Sequence, residues 1–120
     1  MPAFLTPITI SGPYGQYTVE AVVDLGATFS SIPAPALIEL GIEPHRVVRV
    51  HSTGGDAQFR QLGRALTTVG GQEDVAPILF GDPGEPAVIG ATTLNILLLR
   101  LDRDAGRLLP IEAISRSASV

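Results

Sequence analysis

The sequence predicts an all-β domain, a closed barrel-like sheet with one or two short helices and a projecting hairpin. The chain has 13 glycines and 10 prolines in 120 residues, which is typical of short strands joined by tight turns. Its apolar and β-branched runs are short, and several alternate with polar residues as half-buried strands do. With 45% hydrophobic and 17% charged residues, we expect residues 1–120 to form a single domain with its own buried core.

The first three strands are predicted before residue 33. Residues 4–10 mix apolar and β-branched side chains, and Pro7 limits the pairing of this strand. Residues 16–23 alternate at first and then become continuously apolar, so this strand begins half exposed and ends buried. Asp24 follows at the buried end, and residues 28–32 form the next short strand.

A short helix and a long hairpin are predicted in the middle of the chain. Prolines begin the helix at residues 33–41, and Gly41 is placed to adopt its left-handed C-terminal cap. The strands 47–51 and 57–69 flank the glycine-rich turn 52–56, which predicts a projecting hairpin with a mobile tip.

The C-terminal part is predicted to add strands at residues 74–80 and 87–90 and a second short helix at residues 91–98. A closing hairpin is predicted from strands at residues 99–102 and 107–111. Thr92 or Thr93 is the predicted N-cap of the helix. The tripeptide Gly-Ala-Thr follows an apolar strand at both 26–28 and 90–92. This weak internal repeat indicates a lobe whose halves are related by approximate two-fold symmetry.

Composition excludes several classes of protein and site. Without cysteine and with only two histidines, the chain has no thiolate or histidine-rich metal site, and we expect no cofactor. A net charge of −4 without a basic stripe argues against nucleic-acid binding. No apolar run approaches the roughly 20 residues of a membrane span. Residues 1–5 lack the basic region of a signal peptide, so we expect a cytoplasmic protein.

Two motifs resemble the single-lobe, retropepsin-like aspartic proteases, especially bacterial members of that family. The first is apolar-apolar-Asp-x-Gly-Ala-Thr at residues 22–28, and the second is Val-Ile-Gly at residues 88–90, followed by a helix. The Leu-Gly-Ile helix exit at 40–42 and the Gly-Arg-Leu-Leu-Pro close at 106–110 are also similar. An Asp-x-Gly segment alone is usually only a turn, whereas both motifs in this order are fairly specific.

The resemblance implies roles for the residues of the first and second motifs. Asp24 matches the catalytic aspartate, and Gly26 matches the glycine whose amide steadies that carboxylate. Ile89 and Gly90 match the element that closes a loop around the aspartate. The remaining residues of this active-site loop are Leu25, Ala27 and Thr28.

The same resemblance implies a flap, a substrate and a partner. The hairpin at residues 47–66 corresponds to a flap over an extended peptide substrate, with its tip at Ser52, Thr53, Gly54 and Gly55. Because one lobe supplies one aspartate, the family architecture implies a homodimer with its active site on the two-fold axis. Ser30 and Ser31 are interpreted as strand and turn residues, since no histidine is placed to activate a serine.

Leu25 departs from the family pattern, which has threonine or serine after the aspartate. The missing hydroxyl normally hydrogen-bonds across the dimer axis, so the dimer is predicted to lose about 1–3 kcal/mol per unmade bond. Three hypotheses follow. The chain is a homodimeric aspartic endopeptidase, a non-catalytic module for dimerisation or peptide binding, or an enzyme that dimerises only at high concentration or on substrate.

Overall fold

The computed structural model describes residues 3–52 and 54–116. The strands are β1 (Leu5–Gly12), β2 (Gly15–Val23), β3 (Ser30–Pro33), β4 (Pro44–His51), β5 (Ala57–Val69), β6 (Gln72–Gly81), β7 (Val88–Ile89), β8 (Leu99–Asp102) and β9 (Arg107–Pro110). The helices are α1 (Ala34–Glu39) and α2 (Ala91–Ile96). The predicted all-β class with short helices is confirmed. No helix in the described ranges is long and apolar enough to cross a membrane.

Seven of the strands form one sheet that closes on itself. Its order is β1-β2-β7-β3-β6-β5-β4, and a further pairing of β1 with β5 joins residues 9–11 to residues 66–68. This closure gives a barrel-like ring with β4 outside it. Pro7 lies in the half of β1 that pairs only with β2, where its missing N–H is tolerated.

The core fills the inside of this ring and is built from alternating strand residues. Fully buried side chains come from β1, β3, β6 and β7, and include Ile8, Ile10, Ile32, Ile78 and Ile89. The strand β2 changes from an exposed start to a buried end, as its sequence predicts. Burying these branched side chains removes apolar surface from water, which is the main force that holds the sheet closed.

The second helix begins at Ala91 as predicted, but its N-cap residue and its C-terminal end differ from the prediction. Its N-cap is Gly90 and no side chain caps it, so the prediction of Thr92 or Thr93 is wrong. The physical reason is that Thr93 lies within the first turn of the helix and is buried, and its hydroxyl hydrogen-bonds Ser30 instead of a backbone N–H of the helix. The helix ends at Ile96 because Leu98 adopts a left-handed conformation with φ of 58°.

Candidate active site

The candidate site lies where β2 ends and the chain loops towards β3. These two strands are not neighbours, because β7 lies between them, parallel to β2 and antiparallel to β3. The N–H of Asp24 donates to the carbonyl of Ile89 at 3.0 Å, and the N–H of Val22 donates to the carbonyl of Ala87 at 2.9 Å. The two sequence motifs are therefore brought together in one hydrogen-bonded arrangement.

The Asp24 carboxylate stands exposed at the end of β2. Its Oδ1 accepts a hydrogen bond from the N–H of Gly26 at 2.9 Å, while its carbonyl accepts one from the N–H of Ala27 at 3.1 Å. A Cβ at residue 26 would lie 3.3 Å from the same Oδ1, a tighter contact than most side chains make. Glycine therefore leaves room for the turn that fixes Oδ1 of this exposed carboxylate.

The two Gly-Ala-Thr segments lie against each other. The N–H of Ala91 donates to the carbonyl of Ala27 at 2.8 Å, and the N–H of Thr92 donates to the carbonyl of Thr28 at 3.0 Å. These are equivalent positions of the sequence repeat. The first amides of α2, which have no partner within a helix, thus brace the loop that carries Asp24.

Gly90 makes this close approach possible. A Cβ at this position would lie 2.5 Å from the carbonyl carbon and oxygen of Phe29, and 2.9 Å from the carbonyl oxygen of Ala27. All three atoms belong to the backbone, so they cannot rotate away. The junction of β7 and α2 therefore requires a residue without a side chain.

A buried polar cluster behind the loop was not predicted from the sequence. Ser30 and Thr93 are fully buried, their hydroxyls hydrogen-bond each other, and the N–H of Gly90 donates to Ser30 Oγ at 3.0 Å. The sequence signal was weak, because a serine in an apolar strand and a threonine in a helix are both common. The cluster ties β3 to α2 directly beneath the residues that brace Asp24.

Replacing Ser30 with alanine is expected to reduce the free energy of unfolding by about 1–3 kcal/mol, because it orphans the buried Gly90 N–H and Thr93 hydroxyl. Ser31→Ala is the matched control, since Ser31 is half buried on the same strand and makes no side-chain hydrogen bond within residues 3–52 and 54–116. Urea unfolding of both variants measures the difference. Equal losses in the two variants would show that the cluster contributes nothing specific.

The predicted flap is a two-stranded ribbon that projects from the barrel. Residues 57–61 of β5 pair only with β4, whereas from Leu62 onwards β5 also pairs with β6. The tip residues Ser52, Gly54 and Gly55 are exposed and bond within their own turn, where the N–H of Gly55 donates to the carbonyl of Ser52 at 2.9 Å. Thr53, the fourth predicted tip residue, lies outside the described residues.

An exposed leucine and a groove of mixed polar and apolar lining lie near Asp24. The side chain of Leu25 is 44% exposed beside the carboxylate. A groove of about 480 Å³ adjoins Val23 and runs between the N-terminal segment and the β8–β9 hairpin, with Phe4, Leu5 and Leu101 among its lining residues. The hairpin strands pair only with each other in the described part of the chain, so their outer edges carry unpaired backbone groups.

The candidate site contains the carboxylate of Asp24. Within the described ranges, no three His, Asp or Glu residues lie close enough together to hold a metal ion. No protein-family model matches the chain, and neither does any curated protein that was searched. The chemistry proposed for the site therefore rests on its own geometry and on the two sequence motifs.

Proposed function

We propose that the protein is a retropepsin-like aspartic endopeptidase whose active site combines the Asp24 residues of two identical subunits. The observation that carries this proposal is the carboxylate of Asp24, exposed at the end of β2 and fixed through Oδ1 by the N–H of Gly26. Its loop is braced by β7 on one side and by the first amides of α2 on the other. Such bracing is what a catalytic group needs in order to keep its orientation.

Two carboxylates perform the chemistry that one cannot. Peptide hydrolysis without a metal or a nucleophilic side chain needs a base that takes a proton from water and an acid that protonates the substrate carbonyl. Two nearby Asp24 carboxylates cannot both ionise easily, so the pair holds one shared proton and provides both groups. As the carbon–nitrogen bond breaks, the proton taken from water passes to the leaving amine, and a hydroxyl of the tetrahedral intermediate returns a proton to the other carboxylate.

The surface near Asp24 supports a second copy of the chain as partner. Leu25 is an exposed leucine directly beside the carboxylate, and the groove next to Val23 adjoins unpaired strand edges. A two-fold partner would cover both and bring its own carboxylate to the axis. The projecting β4–β5 hairpin is suited to cover an extended peptide, which binds through main-chain pairing to strand edges.

The second candidate function is a non-catalytic module on the same framework, for dimerisation or peptide binding. Leu25 favours this module, because leucine has no hydroxyl to donate the hydrogen bond that, in the family pattern, joins the two active-site loops across the dimer axis. Incubation with denatured casein at acidic and neutral pH, with and without a pepstatin-like inhibitor, separates the two functions. Inhibitor-sensitive cleavage supports the peptidase, and persistent inactivity of a verified dimer supports the module.

Replacing Leu25 with threonine is expected to tighten the dimer about tenfold, since two hydroxyls could then hydrogen-bond across the axis. Sedimentation over a concentration series measures the dissociation constant. Leu66→Thr is the matched control, because Leu66 has similar exposure, 37% against 44%, and lies on β5 away from the Asp24 loop. An unchanged dissociation constant for Leu25→Thr, or an equal change in the control, would count against the predicted contact.

A further inference from the structure

Arg60 joins the projecting hairpin to the loop that precedes β7. It lies on the part of β5 that pairs only with β4, and its side chain is only 16% exposed. Its Nη1 donates to Glu85 Oε1 at 2.9 Å, and its Nη2 donates to Asp82 Oδ2 at 3.1 Å and to Gln58 Oε1 at 3.1 Å. One guanidinium thus holds three acceptors, two of them on the loop of residues 82–87.

The loop is pre-arranged to receive this arginine. Glu85 Oε1 also accepts the N–H of Asp82 at 2.6 Å, while the N–H of Glu85 donates to the carbonyl of Asp82 at 3.1 Å. The backbone N–H of Asp82 and the guanidinium of Arg60 lower the pKa of Glu85. The carboxylate therefore stays ionised at more acidic pH than an ordinary glutamate and keeps a charge-assisted contact with Arg60.

This contact differs from an ordinary surface ion pair. Exposed ion pairs contribute little to the free energy of unfolding, because water screens the charges and both side chains lose conformational freedom. Here Arg60 is largely buried and is held at two nitrogens, although the side chains of Asp82 and Glu85 are 69% and 46% exposed. Arg64, on the same strand, is exposed and makes no ion pair with any residue that the structure describes.

The loop held by Arg60 leads directly to the strand that supports the candidate active site. Ala87, immediately before β7, accepts the N–H of Val22, and Ile89 at the end of β7 accepts the N–H of Asp24. The hairpin, through the Arg60 side chain, and the start of the Asp24 loop, through its backbone, are therefore both hydrogen-bonded to residues 82–89. A shift of that segment changes the placement of one relative to the other.

We propose that Arg60 is a positioning residue, which clamps the β4–β5 hairpin to residues 82–87 and so sets where the hairpin lies relative to Asp24. The role in catalysis rests on the proposed peptidase function, whereas the clamp itself is a property of the folded chain. The hydrogen bonds of Arg60 go to Gln58, Asp82 and Glu85, so Arg60 touches no reacting atom. It acts through the position of the hairpin.

Amide hydrogen exchange tests the clamp without any need for activity. In Arg60→Met, exchange in residues 46–51 and 57–61 is expected to rise about tenfold, the effect of losing partly screened, charge-assisted hydrogen bonds. Glu85→Gln should act in the same direction, and Arg60→Lys should fall between the wild type and Arg60→Met. Arg64→Met, the same substitution on the same strand, should leave hairpin exchange unchanged. Unchanged hairpin exchange in Arg60→Met, or an equal rise throughout the sheet, would overturn the clamp.

Kinetics on an unstructured peptide test the role in catalysis. Because the hairpin binds substrate and performs no proton transfer, Arg60→Met is expected to raise KM about tenfold and to change kcat much less. Arg64→Met should keep both constants, because Arg64 lies beyond the projecting residues 57–61, where β5 pairs with β6 in the barrel. If the chain cleaves nothing but hairpin exchange still rises, the clamp is supported and the peptidase function fails. If the chain is active and Arg60→Met changes neither exchange nor KM, the clamp fails and the peptidase function stands.

Discussion

Replacing Asp24 with asparagine is expected to reduce kcat/KM for an unfolded protein or peptide by about a thousandfold or more. An amide can neither take the proton from water nor share a proton with its partner, and one substitution removes both carboxylates of a dimer. Asparagine keeps an Oδ1 that can accept the N–H of Gly26, so the turn should survive. Casein or peptide cleavage measures the loss, and urea unfolding confirms that the variant is folded.

Asp74 provides the matched control for this substitution. Like Asp24, it is an exposed aspartate whose Oδ1 accepts a backbone N–H, in this case from Val75 at 2.7 Å. It lies on β6, where it pairs with Thr67 of β5, far along the chain from both motifs. Asp74→Asn should cleave at the wild-type rate. Wild-type cleavage by Asp24→Asn would remove Asp24 from the catalytic role.

Replacing Gly90 with alanine is expected to reduce the free energy of unfolding by about 3 kcal/mol, the upper end of the usual overpacking range. The new Cβ would overlap the carbonyl group of Phe29, only 2.5 Å away, and the backbone there is fixed by β3. The φ and ψ angles of −96° and 173° suit alanine, so the loss is steric and not conformational. Urea unfolding measures it, with the slope checked for two-state behaviour.

Gly54→Ala is the comparison for this substitution. Among the residues that the structure describes, a Cβ there would meet only Ser52 Oγ, at 3.9 Å, which is an ordinary contact. Its effect on unfolding should be small. If Gly90→Ala cost no more than Gly54→Ala, the brace between α2 and the Asp24 loop would be looser than its geometry indicates.

Local pattern was enough to predict most of the elements. Alternation and glycine turns placed β2, β5 and the closing hairpin to within a few residues, because these strands have one face in the core. The family resemblance, and not local pattern, implied that the two motifs meet, and in the structure the N–H of Asp24 donates to the carbonyl of Ile89. Their roles in catalysis stay a prediction.

The features that escaped prediction all depend on contacts between distant segments. Ser30 and Thr93 are ordinary residues until the fold buries them against each other. Arg60 looks like any solvated arginine of a strand, and only the approach of residues 82–87 gives it its two carboxylate acceptors. Polar residues carry no periodic signal for such pairing, so the sequence could not assign them partners.

The most direct test of a shared active site is to titrate active wild-type protein with inactive Asp24→Asn protein. Subunit exchange would place most wild-type chains in mixed dimers, each with a single carboxylate. With a tenfold excess of the variant, cleavage per wild-type chain should fall to about one tenth, as random pairing requires. The Asp74→Asn protein added in the same excess should cause no such fall. Cleavage that stays constant as Asp24→Asn is added would show that each chain acts alone and would contradict the two-subunit site.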